Sequence, residues 1–262
     1  MPSILIVGAT RGLGAALATA YAESGAHVFA TARSTTPPAT PSHAHITWIP
    51  CIDIASEGAG PTLASALPAS VVLDVVVVCA GYFVTEAFEE ARWAEEVKMY
   101  TTCAVGPLFV VQALVGAGKV RTSLGGDDAG GKIVLVSSES GSIALRHPTE
   151  GGGNYAHHAS KSALNMVGRL LALDLAPRGI AVALVHPGFM RTEMTAGVGY
   201  DKYWDAGGAV PPAEAAASLI PFVDAFTLEM SGQFWAPRGA RDIGTAPAVL
   251  GDNLPAPLQL PW

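Results

Sequence analysis

The chain has 262 residues, 50% of them apolar and 14% charged, with a formal net charge of −7, which suits one α/β domain of upper-middle size around a single core. The acidic balance leaves no basic face for a phosphate backbone, so nucleic-acid binding is excluded and a small-molecule partner is expected. Cys51, Cys79 and Cys103 are odd in number and lack CxxC spacing, as expected of reduced thiols in a cytoplasmic protein, with Cys51 and Cys79 in runs that read as buried strands. The start MPSILIVGAT has no basic leader, and the longest apolar run, VVLDVVVVCA, is broken by Asp74, so neither a secretion signal nor a membrane span is expected.

In chain order, the β-branched run at 4–7 predicts a first strand, followed by the glycine turn GATRGLG and a helix over 12–24. Gly8, Gly12 and Gly14 let a ligand approach the backbone, and Thr10, Arg11 and Leu13 sit where a helix N-terminus meets an anion, so this turn is read as a nucleotide site. The second strand, 27–31, ends at Ala32 where a protein that prefers NAD carries an acid, and Arg33 follows. With Arg11 it supplies two cations for a 2′-phosphate, which favours NADP(H). Further strands are predicted at 46–50, 75–79, 132–137, 181–186 and 232–235, with helices at 58–66, 88–102, 103–115, 157–176 and 213–226. Near-continuous apolar strands alternating with helices describe an α/β fold, a doubly wound parallel sheet of about seven strands covered on both faces, with 1–262 forming one domain. Three loops punctuate it: the proline-rich 34–44, the glycine-rich 123–131, and PTEGGGN at 148–154, read as a flexible insert.

GATRGLG, Asp53 of CIDI, Ala80 and Gly81 of VVCAG, IVLVSS, the Ser160–Lys161 pair and HPGFMRT, in this order and spacing, resemble the classical short-chain dehydrogenase/reductase family over essentially the whole chain. SSESGSIAL, SKSALNM, MSGQFW and the terminal LPW are similar to its C-factor-like carbonyl-reductase branch. The resemblance implies a Rossmann fold, NAD(P)(H), and hydride transfer to or from a carbonyl or alcohol. It implies that Asp53 and Ile54 meet adenine, that Ala80 and Gly81 line the cofactor cleft, and that Pro187, Gly188 and Thr192 flank the nicotinamide. It also implies a homodimer or homotetramer built on the helices around 88–115 and 157–176.

The family's proton machinery is an Asn, a Ser, a Tyr and a Lys, because the oxygen left by hydride addition needs a positioned acid, a hydroxyl and a cation. Ser138 and Lys161 match two of the four positions; a turn-capping serine is the plain alternative for Ser138. At the Asn position stands Cys103, and a thiol is not expected to kink the helix or to hold a relay water as Asn does. Four residues before Lys161, in NYAHHASK, stands His157, while Tyr155 lies six before. At about 100° per residue, His157 lies within about 40° of Lys161 and Tyr155 about 120° away.

Three readings follow. His157 replaces the tyrosine as acid/base, its pKa held below about 6.5 by Lys161, so that a reductase loses activity as pH rises. Alternatively the glycine-rich insert lets Tyr155 swing into the cleft with His157 or His158 in support. Or the cofactor serves a non-redox reaction such as cyclisation, isomerisation or dehydration. A cofactor-binding non-enzyme is the fourth outcome. Substrate contacts are expected from a lid at about 193–212, with Tyr200, Tyr203 and Trp204, and from Phe83, Phe189 and Met190 as an apolar wall. His27, His43, His45 and His147 are scattered without metal-ligand spacing, so no metal is expected.

Overall fold

Each β-branched run is apolar on both faces, and only a sheet covered on both sides buries it. In the computed structural model, which describes residues 1–39, 41–123 and 130–262, seven such strands run parallel. They are β1 (Ser3–Val7), β2 (His27–Thr31), β3 (Ile46–Ile49), β4 (Val75–Val78), β5 (Lys132–Val136), β6 (Ala181–Val185) and β7 (Phe234–Ala236). An eighth, β8 (Leu258–Gln259), adds antiparallel to β7; two residues carry no readable period, which is why seven were expected. The order β3-β2-β1-β4-β5-β6-β7-β8 reverses between β1 and β4, and such a switch point opens a crevice at the carboxyl ends of the strands.

The helices are α1 (Gly12–Glu23), α2 (Ala59–Ala66), α3 (Trp93–Tyr100), α4 (Gly106–Gly116), α5 (Tyr155–Leu175), α6 (Glu193–Gly197), α7 (Pro212–Ala225) and α8 (Ala246–Leu250). On one face of the sheet Leu13 and Leu17 of α1 and Leu219 of α7 pack with Ile6, Val28 and Val77. On the other, Leu63, Leu114 and Leu164 of α2, α4 and α5 pack with Leu5, Val76 and Ile133.

Three sequence expectations change. The helix expected over 88–102 begins only at Trp93, after a 3₁₀ turn at Phe88–Glu90 and an extended Arg92. Phe88 is 76% exposed, so no buried stripe holds those first turns in an α-helix. Cys51, placed in a strand by its apolar neighbours, lies beyond β3 and is exposed with φ 61°. The chain also keeps its kink without Asn: Thr101–Val105 forms a π turn around Cys103. Pro107, four residues on, has no N–H to give the Cys103 carbonyl, and a Cβ on Gly106 would stand 2.2 Å from the Ile54 carbonyl oxygen, so the widened turn comes from Pro107 and Gly106.

Within the helical run Trp93–Gly116, which has 24 residues, an 18-residue window has a mean hydropathy of 1.5, long and apolar enough to cross a membrane by those measures. Half of that window is buried inside the domain. The 34–44 segment has neither helix nor strand over its described residues, and most of the 123–131 loop lies outside the described residues.

Candidate active site

The carboxyl ends of β1, β2, β4, β5 and β6 open on one cleft of about 550 Å³. Gly8, with φ 90°, passes so close to β4 that an added Cβ would stand 2.8 Å from the Ala80 backbone, and one on Gly14 would stand 2.1 Å from the Gly8 carbonyl oxygen. The turn is thus closed to side chains. Its helix, α1, has no side-chain cap and no acid in its first turn, so its leading N–H groups point at the cleft unpaired and attract an anion. Every residue read from the sequence as nucleotide-binding lines this cleft, from the glycine turn through Arg33, Asp53, Ile54 and Gly81 to Pro187, Gly188 and Thr192. Arg33 is exposed at the rim beyond the buried Ala32. Arg11 is already engaged: its Nη1 donates to Glu193 Oε2 of α6 at 2.7 Å, both side chains being largely exposed.

At the other end, α5 begins two residues earlier than expected, which carries His157 and Lys161 onto its cleft face and leaves Tyr155 outside. Tyr155 is 41% exposed and its ring meets Phe88 at 6.4 Å. The reading in which Tyr155 swings inward therefore fails here. The insert that was to allow it is a built turn: His147 and Glu150 close a capping box over Pro148–Glu150, Arg146 pairs with Glu150 at 3.3 Å, and Asn154 holds left-handed backbone at φ 50°.

His157 lies with its ring centroid 4.4 Å from that of Phe83. Its Nδ1 is buried without a hydrogen-bond partner. Burial first, then the charges of Lys161, His158 and Arg146, push its pKa down to about 3. The direction agrees with the sequence reading, yet the size removes this imidazole from titration between about pH 5 and 8, where activity was expected to follow it. His158 also borders the cleft, its Nδ1 lying 2.9 Å from the Asn154 carbonyl oxygen.

Lys161 is buried and its Nζ donates to the Val136 carbonyl at 2.8 Å. Ser138 combines both roles considered for it: its Oγ accepts from the Ser140 N–H at 3.2 Å, capping the turn Glu139–Gly141, while the residue lines the cleft. That leaves the Ser138 O–H free to donate. Cys103 also borders the cleft, but its Sγ donates to the Tyr82 carbonyl at 3.5 Å. Burial pushes the neighbouring Cys79 thiol up to about 12, so it stays protonated.

The lid segment after HPGFMRT folds as α6, a 3₁₀ turn at Asp201–Tyr203 and a return to the Met190–Val210 bridge. Phe83, Phe189, Met190, Tyr200 and Tyr203 line the cleft. Trp204, grouped with them from the sequence, does not: its Nε1 donates to Thr195 Oγ1 at 3.2 Å and Arg191 lies over its ring at 5.9 Å. It fastens the lid to itself.

A buried pair at the floor was not read from the sequence. The Glu139 N–H donates to His186 Nδ1 at 3.0 Å and His186 Nε2 donates to Asp242 Oδ2 at 3.0 Å. Burial alone would raise the Asp242 carboxyl, but the bonds from His186 and the Phe189 N–H, with Arg238 nearby, carry it below its ordinary value. The histidine of HPGFMRT was the available signal; its partner lies 56 residues away. Asn154 was also missed as a cleft residue.

Residues 2–202 match the profile of the short chain dehydrogenase family. The chain is 31% identical over 245 residues to a 1-hydroxy-2-glutathionyl-2-methyl-3-butene dehydrogenase of Rhodococcus sp. strain AD45, covering 89% of this chain and 96% of that one. It is 30% identical over 156 residues to the C-signal protein of Myxococcus xanthus, 58% of this chain and 81% of that one, in line with the C-factor-like motifs. Among solved structures, the Pseudomonas aeruginosa RhlG/NADP complex superposes with TM-score 0.76 at 26% identity, over 90% of this chain and 94% of that chain. An NADP-bound putative short-chain dehydrogenase/reductase from Burkholderia multivorans gives TM-score 0.68 at 27% identity, over 90% and 96%. Sheet order, glycine turn and sequence match agree: the chain belongs to the short-chain dehydrogenase family.

Proposed function

We propose that the protein is an NADP(H)-dependent oxidoreductase that reduces the C=O or C=N group of a small apolar or ring-bearing substrate, with His157 in the place of the family's tyrosine. The observation that carries this reading is the combination at one cleft of Ala32–Arg33 at the end of β2 with Ser138, His157 and Lys161. An acid at position 32 would repel a 2′-phosphate, whereas Arg33, and Arg11 once drawn from its exposed pair with Glu193, attract one. The residues present fit the dinucleotide, since the glycine turn is closed to side chains yet open to a diphosphate at the α1 N-terminus. NADP in the Pseudomonas and Burkholderia relatives supports the same choice. Bound here, NADP(H) supplies the hydride. Lys161 holds the ribose side of the cleft and Asp53 the adenine side, as in the family.

His157 then works as a neutral imidazole. With Nδ1 buried and unpartnered, the ring offers Nε2 to the cleft, where it polarises the substrate oxygen or nitrogen beside the Ser138 hydroxyl. A second reading, non-redox chemistry over a bound cofactor, is favoured by one observation: a group with a pKa of about 3 is a weak base and delivers no proton near neutrality. NADPH absorbance followed over a panel of ketones and cyclic imines separates the two. Oxidation with any member supports the reductase; substrate conversion at constant absorbance supports the non-redox enzyme.

Exposed apolar side chains on neighbouring helices, Trp93 and Val97 of α3, Phe109 of α4, and Met166, Leu170 and Leu173 of α5, support a homo-oligomer built on these faces. Three free thiols suit a cytoplasmic setting. Light scattering during size exclusion tests the assembly.

A further inference from the structure

With His157 neutral and Tyr155 outside, the oxidoreductase reading lacks a proton source for the oxygen that hydride addition leaves behind. The lid supplies one. Asn154 sits at the mouth of the cleft, its N–H donating to the Glu86 carbonyl at 2.9 Å and its Oδ1 accepting from the Glu86 N–H at 3.2 Å. A backbone N–H only donates, so this contact fixes which end of the amide is oxygen. The other end, Nδ2, lies 3.2 Å from the Tyr200 hydroxyl, and an amide nitrogen also only donates. Tyr200 must therefore accept from Asn154, and its own O–H hydrogen finds no acceptor among the described residues. Tyr200 lines the same cleft as His157, both packing on Phe83, whose ring centroid lies 5.7 Å from that of Tyr200 and 4.4 Å from that of His157.

We infer that Tyr200 of the lid is the catalytic proton donor, its oxygen held by Asn154 and its O–H aimed into the cleft. This rests on the reductase reading. As hydride from NADPH forms a C–H bond at the carbonyl carbon, the C=O π pair moves to oxygen. The Tyr200 O–H bond breaks and its proton goes to that oxygen, and the phenolate recovers a proton from water at the open side of the lid. His157 Nε2 and Ser138 steady the oxygen meanwhile. A preformed iminium needs no proton, since hydride addition to it gives a neutral amine directly, and this difference provides the test.

The probes are 1-tetralone and its near-isostere N-methyl-3,4-dihydroisoquinolinium, followed by NADPH oxidation with the full-length protein. Tyr200→Phe is expected to lower kcat on the ketone by about 100-fold or more, the scale of lost acid catalysis, while kcat on the iminium and NADPH affinity stay within about threefold, since no proton-transfer term is lost there. Asn154→Asp keeps an acceptor for the Glu86 N–H but turns the other arm into an acceptor for the Tyr200 O–H, so the same ketone-selective loss is expected with the phenol in place. Equal losses on both probes would mean that Tyr200 only shapes the pocket, and an unchanged ketone rate would mean that the proton comes from elsewhere; either overturns the assignment alone. Wild type active on the iminium but inert to the ketone also overturns it, because no donor is working. Wild type inert to both probes, with NADPH bound, overturns the reductase reading and the donor together.

Discussion

Replacing His157 with Gln removes a half-buried imidazole whose Nδ1 has no partner and leaves an uncharged polar group of similar reach, so its signature is a change in acid stability. In the unfolded chain this imidazole titrates near 6.5 and in the folded chain near 3. Between those values the unfolded state binds the extra proton, so the folded state is favoured above pH 6.5 and loses ground steadily as pH falls toward 3. Linkage over that window makes the wild type lose about 2 kcal/mol between pH 7 and pH 5, beyond what other groups contribute. The Nε2 edge faces the cleft, where water screens the charge, so about 2 kcal/mol is the ceiling. His157→Gln lacks this loss. Urea unfolding of both proteins without cofactor at pH 7 and pH 5 reads it directly, and thermal unfolding should show the gap as roughly 4–8 °C for a chain of this size. Curves for wild type and variant that shift in parallel would refute a neutral, desolvated His157 and return it to the role of a titrating acid.

Four further outcomes follow from the same geometry. Arg33→Glu should weaken NADPH binding by roughly 10- to 100-fold, the worth of one or two charge-assisted bonds, with NADH much less affected; fluorescence titration of both cofactors checks it, and equal losses would remove Arg33 from the phosphate site. Gly14→Ala drives a Cβ into the Gly8 carbonyl oxygen and should cost about 1–3 kcal/mol in urea unfolding as well as nucleotide binding. Asp242→Asn takes the charge from the partner of His186 and should lower stability at pH 7 by about 1–3 kcal/mol. Because the folded Asp242 pKa is depressed, that difference should close as pH falls below about 3.9. His157→Tyr returns a phenol to the family's position and should rescue ketone reduction in Tyr200→Phe; a double variant as slow as Tyr200→Phe alone would show that the rest of the relay is missing too.

The parallel strands were legible because each is a short apolar run whose burial needs nothing but two covered faces. The cleft was legible because glycine spacing, the Ala32–Arg33 end of β2 and the four-residue step from His157 to Lys161 are local facts. What escaped was set by distance. The His186–Asp242 pair spans 56 residues and the bond from the Ala156 N–H to Glu86 spans 70, and no local period announces either. Trp204 was misplaced for a related reason: its sequence neighbours face the cleft, but a side chain's direction in an irregular lid follows from partners such as Thr195 that only the fold brings near. The kink at Cys103 shows that one residue's usual job can pass to its neighbours, here Pro107 and Gly106.

These changes in the site are coupled. Lys161 Nζ donates to the Val136 carbonyl, and its charge, which would lower the pKa of a tyrosine at this position of α5, here adds to burial in keeping the imidazole neutral. Once the α5 position no longer delivers a proton, the Asn that feeds a relay water has nothing to feed, and a buried thiol bonded to the Tyr82 carbonyl fills the kink. The acid function must then come from the open side of the cleft or be unnecessary. Asn154 makes the first alternative concrete, because the left-handed conformation at the start of α5 turns its amide toward the lid while Glu86 fixes its sense. The ketone and iminium pair distinguishes a site that moved its proton donor from one that chose a substrate needing none.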